Sequence, residues 1–484
     1  MNDYRLSRHL SPFRPLTALV VALGLALIAA CSFAQGEDIP PTATNLPISQ
    51  SPASTLQPAS RPNVIFIVVD ALRADHVSAY GYERPTTPNL DAFMSGGVRF
   101  AEATTPSSWT FPSNVGMLTG RMPTRIRMND WGSYSAVVPS QEVMLAEALR
   151  DGGYQTVGFV DNYYLDPQFG MAQGYDEYER LKNSELAADL NRMAFDWLDS
   201  GGVDGDKPLF LFMYYYDPHS WYDPPPPYDT LYDPNYTGTL TPDVYQHGQQ
   251  VVAGELVPTQ RDVRHLLALY DGEITYWDYH LDLFLDRLAA EGLLNNALVV
   301  VTSDHGQMFG EHDKWVHRNS LYEEVLRVPL FIYYPGVVPA GRVVETPVFT
   351  GDLMPTVLDL VGLPAPGGLD GRSLRPLLIG NQPGALAERP IYAEMEAETS
   401  PDSPGYWIAP RYDLRSVKAD GWKYVLEVNN PAGDALYRLQ RDSVYEDGNA
   451  LADYPQMATQ LHDDIYDWFA LPTRFNFLPA VRYR

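Results

Sequence analysis

The stretch NVIFIVVD, residues 63–70, decides the fold class of this sequence. Its apolar residues form an unbroken run of strand length, which is typical of a strand buried on both faces in a parallel sheet. Similar runs recur at residues 156–160, 209–214, 297–302 and 328–333, and residues 263–294 have the apolar spacing of a helix. Strands that alternate with helices predict an α/β fold with a doubly wound, mostly parallel sheet.

An aspartate stands at the end of four of these runs, at positions 70, 161, 217 and 304. The carboxyl ends of parallel strands meet at one edge, where open α/β sheets place their ligand sites. A single aspartate at such a place is most often a helix cap or a turn residue. Four on one rim indicate metal binding or acid–base chemistry instead.

The pattern of apolar and polar residues changes after about residue 385. Short alternating runs at 414–418, 422–426 and 435–439 predict antiparallel strands, and a helix is predicted through about 455–470. We therefore divide the chain into a catalytic domain at 61–385 and a small C-terminal α+β subdomain with an antiparallel sheet at 386–484.

The N-terminal segment has the composition of an export signal. Three arginines precede an apolar run at 16–30, which is short for a membrane span and is followed by Cys31, the sole cysteine of the chain. This end resembles a bacterial lipoprotein signal, 1–31, in which the cysteine receives the lipid; an uncleaved anchor helix is the alternative. Residues 32–60, rich in Pro, Ser and Thr, predict a disordered tether. We thus expect an exported protein, anchored to a bacterial membrane by its N-terminal lipid only, on the periplasmic or cell-surface face.

The charge of the chain restricts its partners. The 484 residues carry a net charge of −27, which argues against a nucleic-acid partner because phosphate backbones are bound by Lys and Arg. An anionic substrate would therefore need a local positive charge, such as a metal ion.

The strongest candidate for a metal site is the pair Asp304-His305, directly after the run at 297–302. Carboxylate and imidazole ligands together suit a divalent ion such as Zn²⁺ or Mn²⁺, and Asp70 can supply a third ligand from its own strand end. A hydrogen-bonded core pair is the alternative for an isolated Asp-His. Gly306 and a second histidine, His317, favour the metal.

Several pieces of sequence, spread over residues 61–480, carry a resemblance to a known family. They include RPNVIFIVVDALRADHVSAYGY, TTPNLDAF, SSWTFPSNVGMLTG, TSDHGQMFGEH and YEEVLRVPLFIYYPG. In this order they resemble the sulfatase family of the alkaline-phosphatase superfamily. The resemblance implies that family's fold, one divalent ion (Zn²⁺, Mn²⁺ or Ca²⁺), and hydrolysis of esters of small molecules, glycans or lipids.

Thr110 occupies the place of the family's nucleophile, in Thr110-Phe-Pro-Ser-Asn114 followed by Leu118-Thr-Gly120. Sulfatases carry Cys or Ser there and convert it to formylglycine. Thr cannot follow that route, because oxidation of a secondary alcohol gives a ketone. Relatives with Thr at this place use its hydroxyl directly on phosphorus. A metal ion can ionise such a hydroxyl, and helix N-terminal amides can receive the developing oxyanion. An ordinary N-cap is the alternative.

Other positions depart from the family pattern. Asn114 replaces the motif Arg, and Ala71 replaces a second metal-binding Asp. The family's Gly-Lys-Trp-His piece falls near residues 160–163, so its Lys and His are absent. His219 and His317, the latter where sulfatases often have Lys, then fit contact with the transferred group and protonation of the leaving alcohol.

Two substrate contacts and one further ion complete the predicted site. Asn114 is expected to orient the non-bridging oxygens, and Asp217 to lie in the substrate site. Asp217, His219 and His317 are also a hypothetical second metal set, since paired ions suit in-line displacement at phosphorus.

The sequence thus predicts a metal-dependent hydrolase that acts through Thr110 on phosphate diesters or phosphonate monoesters. Sulfate ester hydrolysis is the alternative. Two further alternatives are a transferase of phosphoalcohol groups and a catalytically dead surface-binding lipoprotein.

Overall fold

A computed structural model describes residues 61–471, except 127–135, 183–185, 221, 239–249, 252–253, 381–383, 387–388, 398–411, 440–445 and 447. The predicted lipoprotein signal, its Cys31 and the tether at 32–60 lie outside the described residues. No helix within the described ranges is long and apolar enough to cross a membrane.

An eight-stranded sheet forms the centre of the fold, with the strand order β12-β2-β11-β7-β1-β6-β4-β5. Its strands are β1 Asn63–Val69, β2 Val98–Phe100, β4 Gln155–Val160, β5 Glu177–Arg180, β6 Leu209–Tyr215, β7 Ala297–Ser303, β11 Leu330–Tyr333 and β12 Arg342–Val344. The strands from β7 to β5 are mutually parallel. The predicted doubly wound, mostly parallel sheet is therefore confirmed.

The run at 328–333 is not one parallel strand, and this part of the prediction was wrong. Pro329 interrupts it, since proline has no N–H for a sheet ladder. Arg327–Val328 (β10) enters a small sheet with β3 Ala103–Thr104 and β13 Val348–Phe349, whereas β11 runs antiparallel to β7. A separate hairpin consists of β8 Met308–Phe309 and β9 Trp315–Val316.

Both faces of the central sheet are covered by helices. Successive residues of β1 point to opposite faces, and Phe66 lies in one buried apolar cluster while Ile67 lies in the other. The helices are α1 Pro88–Met94, α2 Thr110–Thr119, α3 Leu145–Asp151, α4 Ala187–Asp199, α5 Gln260–Ala290, α6 Glu323–Leu326, α7 Leu353–Leu360, α8 Arg375–Ile379 and α9 Pro455–Phe469. Helices α2, α3 and α7 pack on the first face, and α4 and α5 on the second.

Local sequence signals set the ends of the helices next to the site. Helix α5, predicted at 263–294, begins after Thr259, whose hydroxyl accepts the Asp262 N–H while the Asp262 carboxylate accepts the Thr259 N–H. Helix α2 ends at Gly120, whose φ of 66° is the left-handed conformation that glycine adopts without strain. These two helices lie on opposite faces of the central sheet.

The predicted C-terminal sheet is present as four antiparallel strands in chain order, β14 Ile391–Ala397, β15 Tyr412–Ala419, β16 Trp422–Glu427 and β17 Ala435–Arg438. Helix α9 packs on it through Leu461 and Ile465. The edge strand β14 touches the catalytic domain, because the Glu394 N–H donates to the carbonyl oxygen of Pro106 at 2.8 Å.

A buried ion cluster joins this C-terminal sheet to α6. The Glu323 carboxylate lies 2.7 Å from Lys418 Nζ and 2.9 Å from Lys423 Nζ. Burial alone would raise the pKa of Glu323, but the two ammonium groups hold it well below its usual value. The sheet is thus anchored to the catalytic domain by compensated charges.

Candidate metal centre and nucleophile

The floor of the candidate site is formed where two neighbouring strands end. Asp70 follows β1 and Asp304-His305 follows β7, and these strands are parallel with Val69 opposite Ser303. The three side chains are fully buried, and each offers a ligand atom within 4.8 Å of the others. His305 Nε2 lies 3.4 Å from Asp70 Oδ1 and 3.7 Å from Asp304 Oδ2. The structure therefore brings together the three predicted metal ligands, Asp70, Asp304 and His305.

The chemistry of this group fits a divalent metal ion. Burial and the neighbouring Asp304 carboxylate raise the pKa of Asp70 well above its usual value, which marks two carboxylates in need of a cation. Asp70 Oδ1 is buried and has no hydrogen-bond partner among the described residues. Two carboxylates and an imidazole are a common ligand set for Zn²⁺ and Mn²⁺.

Surrounding groups hold these three side chains in orientation. The Asn162 amide donates to Asp70 Oδ2 at 2.7 Å, and the Tyr214 hydroxyl donates to Asp304 Oδ2 at 2.7 Å. His305 Nδ1–H donates to the Gly306 carbonyl at 2.8 Å, so Nε2 presents its lone pair to the carboxylates. Such partners are what an ion site needs around its ligands.

Position 306 requires a glycine because the backbone of another segment lies very close to it. A Cβ at this position would lie 2.0 Å from the carbonyl oxygen of Glu324, so a larger residue would displace the loop that carries His305.

Thr110 lies at the first position of α2 and faces the metal group. Its hydroxyl oxygen is 3.4 Å from His305 Nε2, and the side chain is 2% exposed. The N-cap of α2 is Trp109, in extended conformation and without a side-chain cap bond, so the alternative of an ordinary Thr N-cap does not hold. The hydroxyl stands beside the ligands and next to the helix N-terminal amides.

Asn114, one turn further along α2, does not have the partners expected for substrate binding. Its amide nitrogen donates to the Thr110 carbonyl at 2.8 Å and to Asp304 Oδ2 at 3.1 Å, which uses both of its N–H groups. Both donors are engaged within the protein, and the predicted orientation of substrate oxygens by Asn114 stays a prediction. Asn114 instead joins the nucleophile's helix to a metal ligand.

Two histidines lie above the floor, as the sequence predicted. The His317 ring centroid is 4.4 Å from that of His305 and 4.9 Å from that of His219. His317 Nδ1–H donates to Gln307 Oε1 at 2.7 Å, because the Gln307 amide nitrogen donates to Tyr222 and leaves the oxygen as acceptor. Burial lowers the pKa of His219 to about 4 and that of His317 well below its usual value.

Asp217 is placed away from this centre by its own hydrogen bond. Its Oδ2 accepts the N–H of Ala187 at 2.8 Å, at the N-terminus of α4. Burial raises the pKa of Asp217 to about 7. Asp217, His219 and His317 are not among the groups of potential ligands in the described part of the chain. The predicted roles of Asp217 in substrate binding and in a second ion site stay predictions.

One other such group within the described residues consists of His312, Glu324 and Glu446. His312 Nε2 is 3.2 Å from Glu324 Oε1, but Lys423 Nζ lies 2.9 Å from Glu446 Oε1. An ammonium group therefore already supplies a cation to this cluster.

Sequence reasoning missed three residues that hydrogen-bond to the side chains of the centre: Tyr214, Asn162 and Gln307. Asn162 stands at the end of β4, the same kind of position that identified the aspartates. Tyr214 is hidden inside an apolar strand, and nothing in its neighbourhood distinguishes it from Tyr215.

Comparisons with known proteins agree with this geometry. Residues 62–363, more than half of the chain, match the family model described as Sulfatase. The chain belongs to the sulfatase family. Residues 310–467 also match the model described as N-sulphoglucosamine sulphohydrolase, C-terminal, so the sulfatase-family match extends over the C-terminal sheet. Members of this family are metal-dependent hydrolases, and the present chain is one.

Individual relatives of this sulfatase-family chain are distant. The Ulvan-active sulfatase of Formosa agariphila is 26% identical over 403 residues, 77% of this chain and 74% of that protein. The arylsulfatase of Clostridium perfringens is 26% identical, over 66% of this chain and 78% of that protein. The phosphonate monoester hydrolase of Agrobacterium radiobacter shares the fold with a TM-score of 0.69 at 23% identity, covering 85% of this chain and 96% of that one.

Proposed function

We propose that this protein hydrolyses monoanionic phosphorus esters, namely phosphate diesters or phosphonate monoesters, with Thr110 as the nucleophile. The observation that carries the proposal is the 3.4 Å separation of Thr110 Oγ1 from His305 Nε2, beside the buried carboxylates of Asp70 and Asp304. These residues would hold a divalent ion, which would lower the pKa of an adjacent hydroxyl and neutralise developing charge.

The reaction then proceeds in two balanced stages. In the first, Thr110 Oγ1 loses its proton through water to the bare Nε2 of His317 and bonds to phosphorus, and the bond from phosphorus to the alcohol oxygen breaks. His317 Nε2 passes this proton to the departing alcohol, while Gln307 holds Nδ1–H. In the second, His317 Nε2 takes a proton from water as that oxygen attacks phosphorus, the bond to Thr110 Oγ1 breaks, and the proton returns to Thr110 Oγ1.

The choice of phosphorus over sulfur rests on the side chain itself. A formylglycine hydrate has a second hydroxyl, through which it can expel the bound group as the aldehyde re-forms. Thr110 has only one, so water must attack the esterified atom directly.

The charge of the site favours a monoanionic transferred group. Asn114 stands where the family has Arg, and His317 where it often has Lys, so two fixed cations are missing from the family pattern. Two carboxylates also neutralise a divalent ion. A phosphate monoester would bring two negative charges into this site, whereas diesters and phosphonate monoesters bring one.

Sulfate monoesters also bring one charge, and sulfate ester hydrolysis is the second candidate. The observation that favours it is the match of residues 62–363 to the sulfatase family model. Both candidates use the same floor, and they differ in the role of Thr110.

The deciding experiment uses the full chain loaded with Zn²⁺ or Mn²⁺. Turnover is compared for p-nitrophenyl sulfate, p-nitrophenyl phosphate, p-nitrophenyl phenylphosphonate and bis-p-nitrophenyl phosphate. We expect the last two to dominate, with a loss of at least 10³-fold in kcat in Thr110→Ala and a smaller loss in Thr110→Ser. Thr119→Ala, at the other end of α2, serves as the control. Dominant sulfate turnover, or turnover that survives in Thr110→Ala, would contradict the proposal.

We also propose that the enzyme is exported and lipid-anchored through Cys31. Support comes from the arginines, the short apolar run and the sole cysteine of the N-terminal sequence. In a bacterial host fed a clickable palmitate analogue, the full chain should be labelled and should fractionate with membranes, and Cys31→Ser should not be labelled. Equal labelling of both would contradict the proposal.

A further inference from the structure

Tyr163 stands at the edge of the metal floor, where β4 ends. It directly follows Asn162, whose amide nitrogen donates to Asp70 Oδ2 at 2.7 Å. The side-chain oxygen of Asn162 accepts the Tyr164 N–H at 2.8 Å and so caps the 3₁₀ turn Tyr163–Leu165. One residue therefore supports a metal ligand and also fixes the turn that carries Tyr163.

Aromatic contacts join this turn to the helix of the nucleophile. The Tyr164 ring lies edge-on to that of Trp109, with 5.5 Å between the centroids. The centroid of the Phe169 ring lies 6.0 Å from that of Phe111. Trp109 and Phe111 are the two neighbours of Thr110 in the chain. The turn is thus packed against the residues on either side of the nucleophile.

The Tyr163 ring is held by these aromatic residues but is not covered by them. Its centroid lies 5.5 Å from that of Tyr164 and 5.3 Å from that of Phe169, and both contacts are edge-on. Tyr163 is nevertheless 54% exposed, whereas Trp109, Phe111 and Phe169 are at most 5% exposed. A tyrosine ring supported in this way offers a flat apolar surface to a ligand at a low cost in conformational entropy.

The proton donor of the proposed reaction lies at a different part of the floor. The His317 ring is 4.4 Å from that of His305, which follows the end of β7. In the central sheet, β1 and β6 separate β7 from β4, the strand before Tyr163. In-line displacement at phosphorus sends the departing alcohol away from Thr110 and toward the proton donor. The part of the substrate nearest to Tyr163 is then the group that stays on phosphorus.

We propose that Tyr163 binds the group that stays bonded to phosphorus, and that this group carries a flat ring. The inference rests on the proposed hydrolase function of the same site. In a phosphonate monoester this group is the substituent bonded through carbon, and in a phosphate diester it is the second alcohol. An aromatic ring and the apolar face of a sugar ring can both stack on a tyrosine. A sulfate monoester has no corresponding group, so the contact is specific to phosphorus esters.

The test varies the retained group and keeps the leaving group constant. The first pair of substrates is p-nitrophenyl methylphosphonate and p-nitrophenyl phenylphosphonate, with the metal-loaded full chain. We expect kcat/KM, divided by the rate constant of the uncatalysed hydrolysis, to be about tenfold higher or more for the phenylphosphonate. Tyr163→Ala should reduce this preference to less than about threefold, and Tyr163→Phe, which keeps the ring, should retain it. An unchanged preference in Tyr163→Ala would overturn the inference.

A second pair of substrates separates the two kinds of ring, and a second tyrosine serves as the control. The pair consists of p-nitrophenyl phosphate diesters whose second alcohol is ethanol or the 6-hydroxyl of methyl glucoside. A preference for the phenylphosphonate alone identifies an aromatic ring as the ligand, and a preference for the glucoside identifies a sugar. The absence of a preference in both pairs would overturn the inference. Tyr279, on α5, is 47% exposed, and Tyr279→Ala should leave every preference unchanged.

Binding measurements separate this inference from the proposed function. All four esters are titrated by calorimetry into metal-loaded Thr110→Ala and Thr110→Ala/Tyr163→Ala, so that the result does not depend on turnover. Binding of a ring-bearing ester that is about tenfold tighter than that of its partner, and that is lost with Tyr163, supports the subsite. Together with dominant sulfate turnover by the wild type, this result contradicts only the proposed function. Equal binding within both pairs overturns the inference.

Discussion

The Tyr214 hydroxyl donates to Asp304 Oδ2 at 2.7 Å across the intervening strand β1. Tyr214 belongs to β6 and Asp304 follows β7, so this bond fixes the carboxylate from two strands away. Burial raises the pKa of Tyr214 well above its usual value, so the hydroxyl remains a donor throughout the physiological range. We therefore expect Tyr214→Phe to weaken divalent metal affinity by about 10- to 100-fold. Competition with a chromogenic chelator measures this.

The next residue provides a matched control for that experiment. The Tyr215 hydroxyl donates at 2.7 Å to Asn191, on α4, on the opposite face of the sheet. Tyr215→Phe removes the same atom from the same strand and should leave metal affinity unchanged. Equal losses in both variants would show that the effect is one of general stability.

The assignment of His317 as proton donor predicts a dependence on the leaving group. In His317→Gln, kcat/KM for phenyl or alkyl esters should fall by about 10²- to 10⁴-fold, because these alcohols leave only when protonated. The p-nitrophenyl ester, with a much more acidic alcohol, should lose far less. His312→Gln, in the same hairpin but outside the site, should affect both esters equally and slightly. A uniform loss for all leaving groups in His317→Gln would contradict the assignment.

Asp217 should make the stability of the protein fall as the pH rises. Its pKa of about 7 lies above the usual 3.8, because of burial and the like charge of Asp189. Glu273, with a raised pKa of its own, faces it as well. Between about pH 4 and pH 7 the folded state retains a proton that the unfolded chain has released, so its stability decreases.

Asp217→Asn should therefore be more stable than the wild type at pH 8, by roughly 2 to 4 kcal/mol, and equally stable near pH 4. Denaturant titrations at the two pH values measure this difference, with Asp196→Asn, at an exposed position of the same helix α4, as the control. Activity should stay within about threefold. A 100-fold loss of activity in this variant would instead support the predicted role of Asp217 in substrate binding.

Glu323 should carry much of the attachment of the C-terminal sheet. Glu323→Gln leaves Lys418 and Lys423 buried with less negative charge, which costs about 3 to 5 kcal/mol of unfolding free energy. Because the pKa of Glu323 is depressed, this stabilisation is present at neutral pH and is lost as the pH falls through the folded value. Urea denaturation measures the loss, and the exposed Glu345→Gln should change stability by less than about 0.5 kcal/mol. A similarly small change in the stability of Glu323→Gln would show that the ion cluster does not stabilise the attachment of the C-terminal sheet.

The sequence predicted the floor of the site because two simple signals coincide there. The apolar runs of β1 and β7 predict adjacent buried strands, and Asp70 and Asp304 directly follow them. Thr110 was recognised through its motif and its place before Pro112. The prediction of the floor needed only local sequence and the geometry of a parallel sheet, whereas the predicted role of Thr110 came from the resemblance to the sulfatase family.

The partners of a side chain depend on tertiary packing, which local sequence does not show. The Asn114 amide donates to Asp304 and the Asp217 carboxylate accepts a helix N–H, and neither bond was predicted. Tyr214 and Gln307 were missed because a strand tyrosine and a loop glutamine acquire their roles only from what folds against them. The direction of β11 was likewise not visible in its apolar composition.

The bond from the Glu394 N–H to the Pro106 carbonyl has a consequence for how such enzymes can be altered. Pro106 lies four residues before Thr110, so an edge strand of the C-terminal sheet flanks the approach to the nucleophile. The same sheet supplies the two lysines that neutralise Glu323. Truncation at residue 385 would therefore leave the Pro106 carbonyl oxygen and the Glu323 carboxylate without these partners. Grafting a C-terminal sheet from a relative should succeed only when both of these contacts are transferred with it.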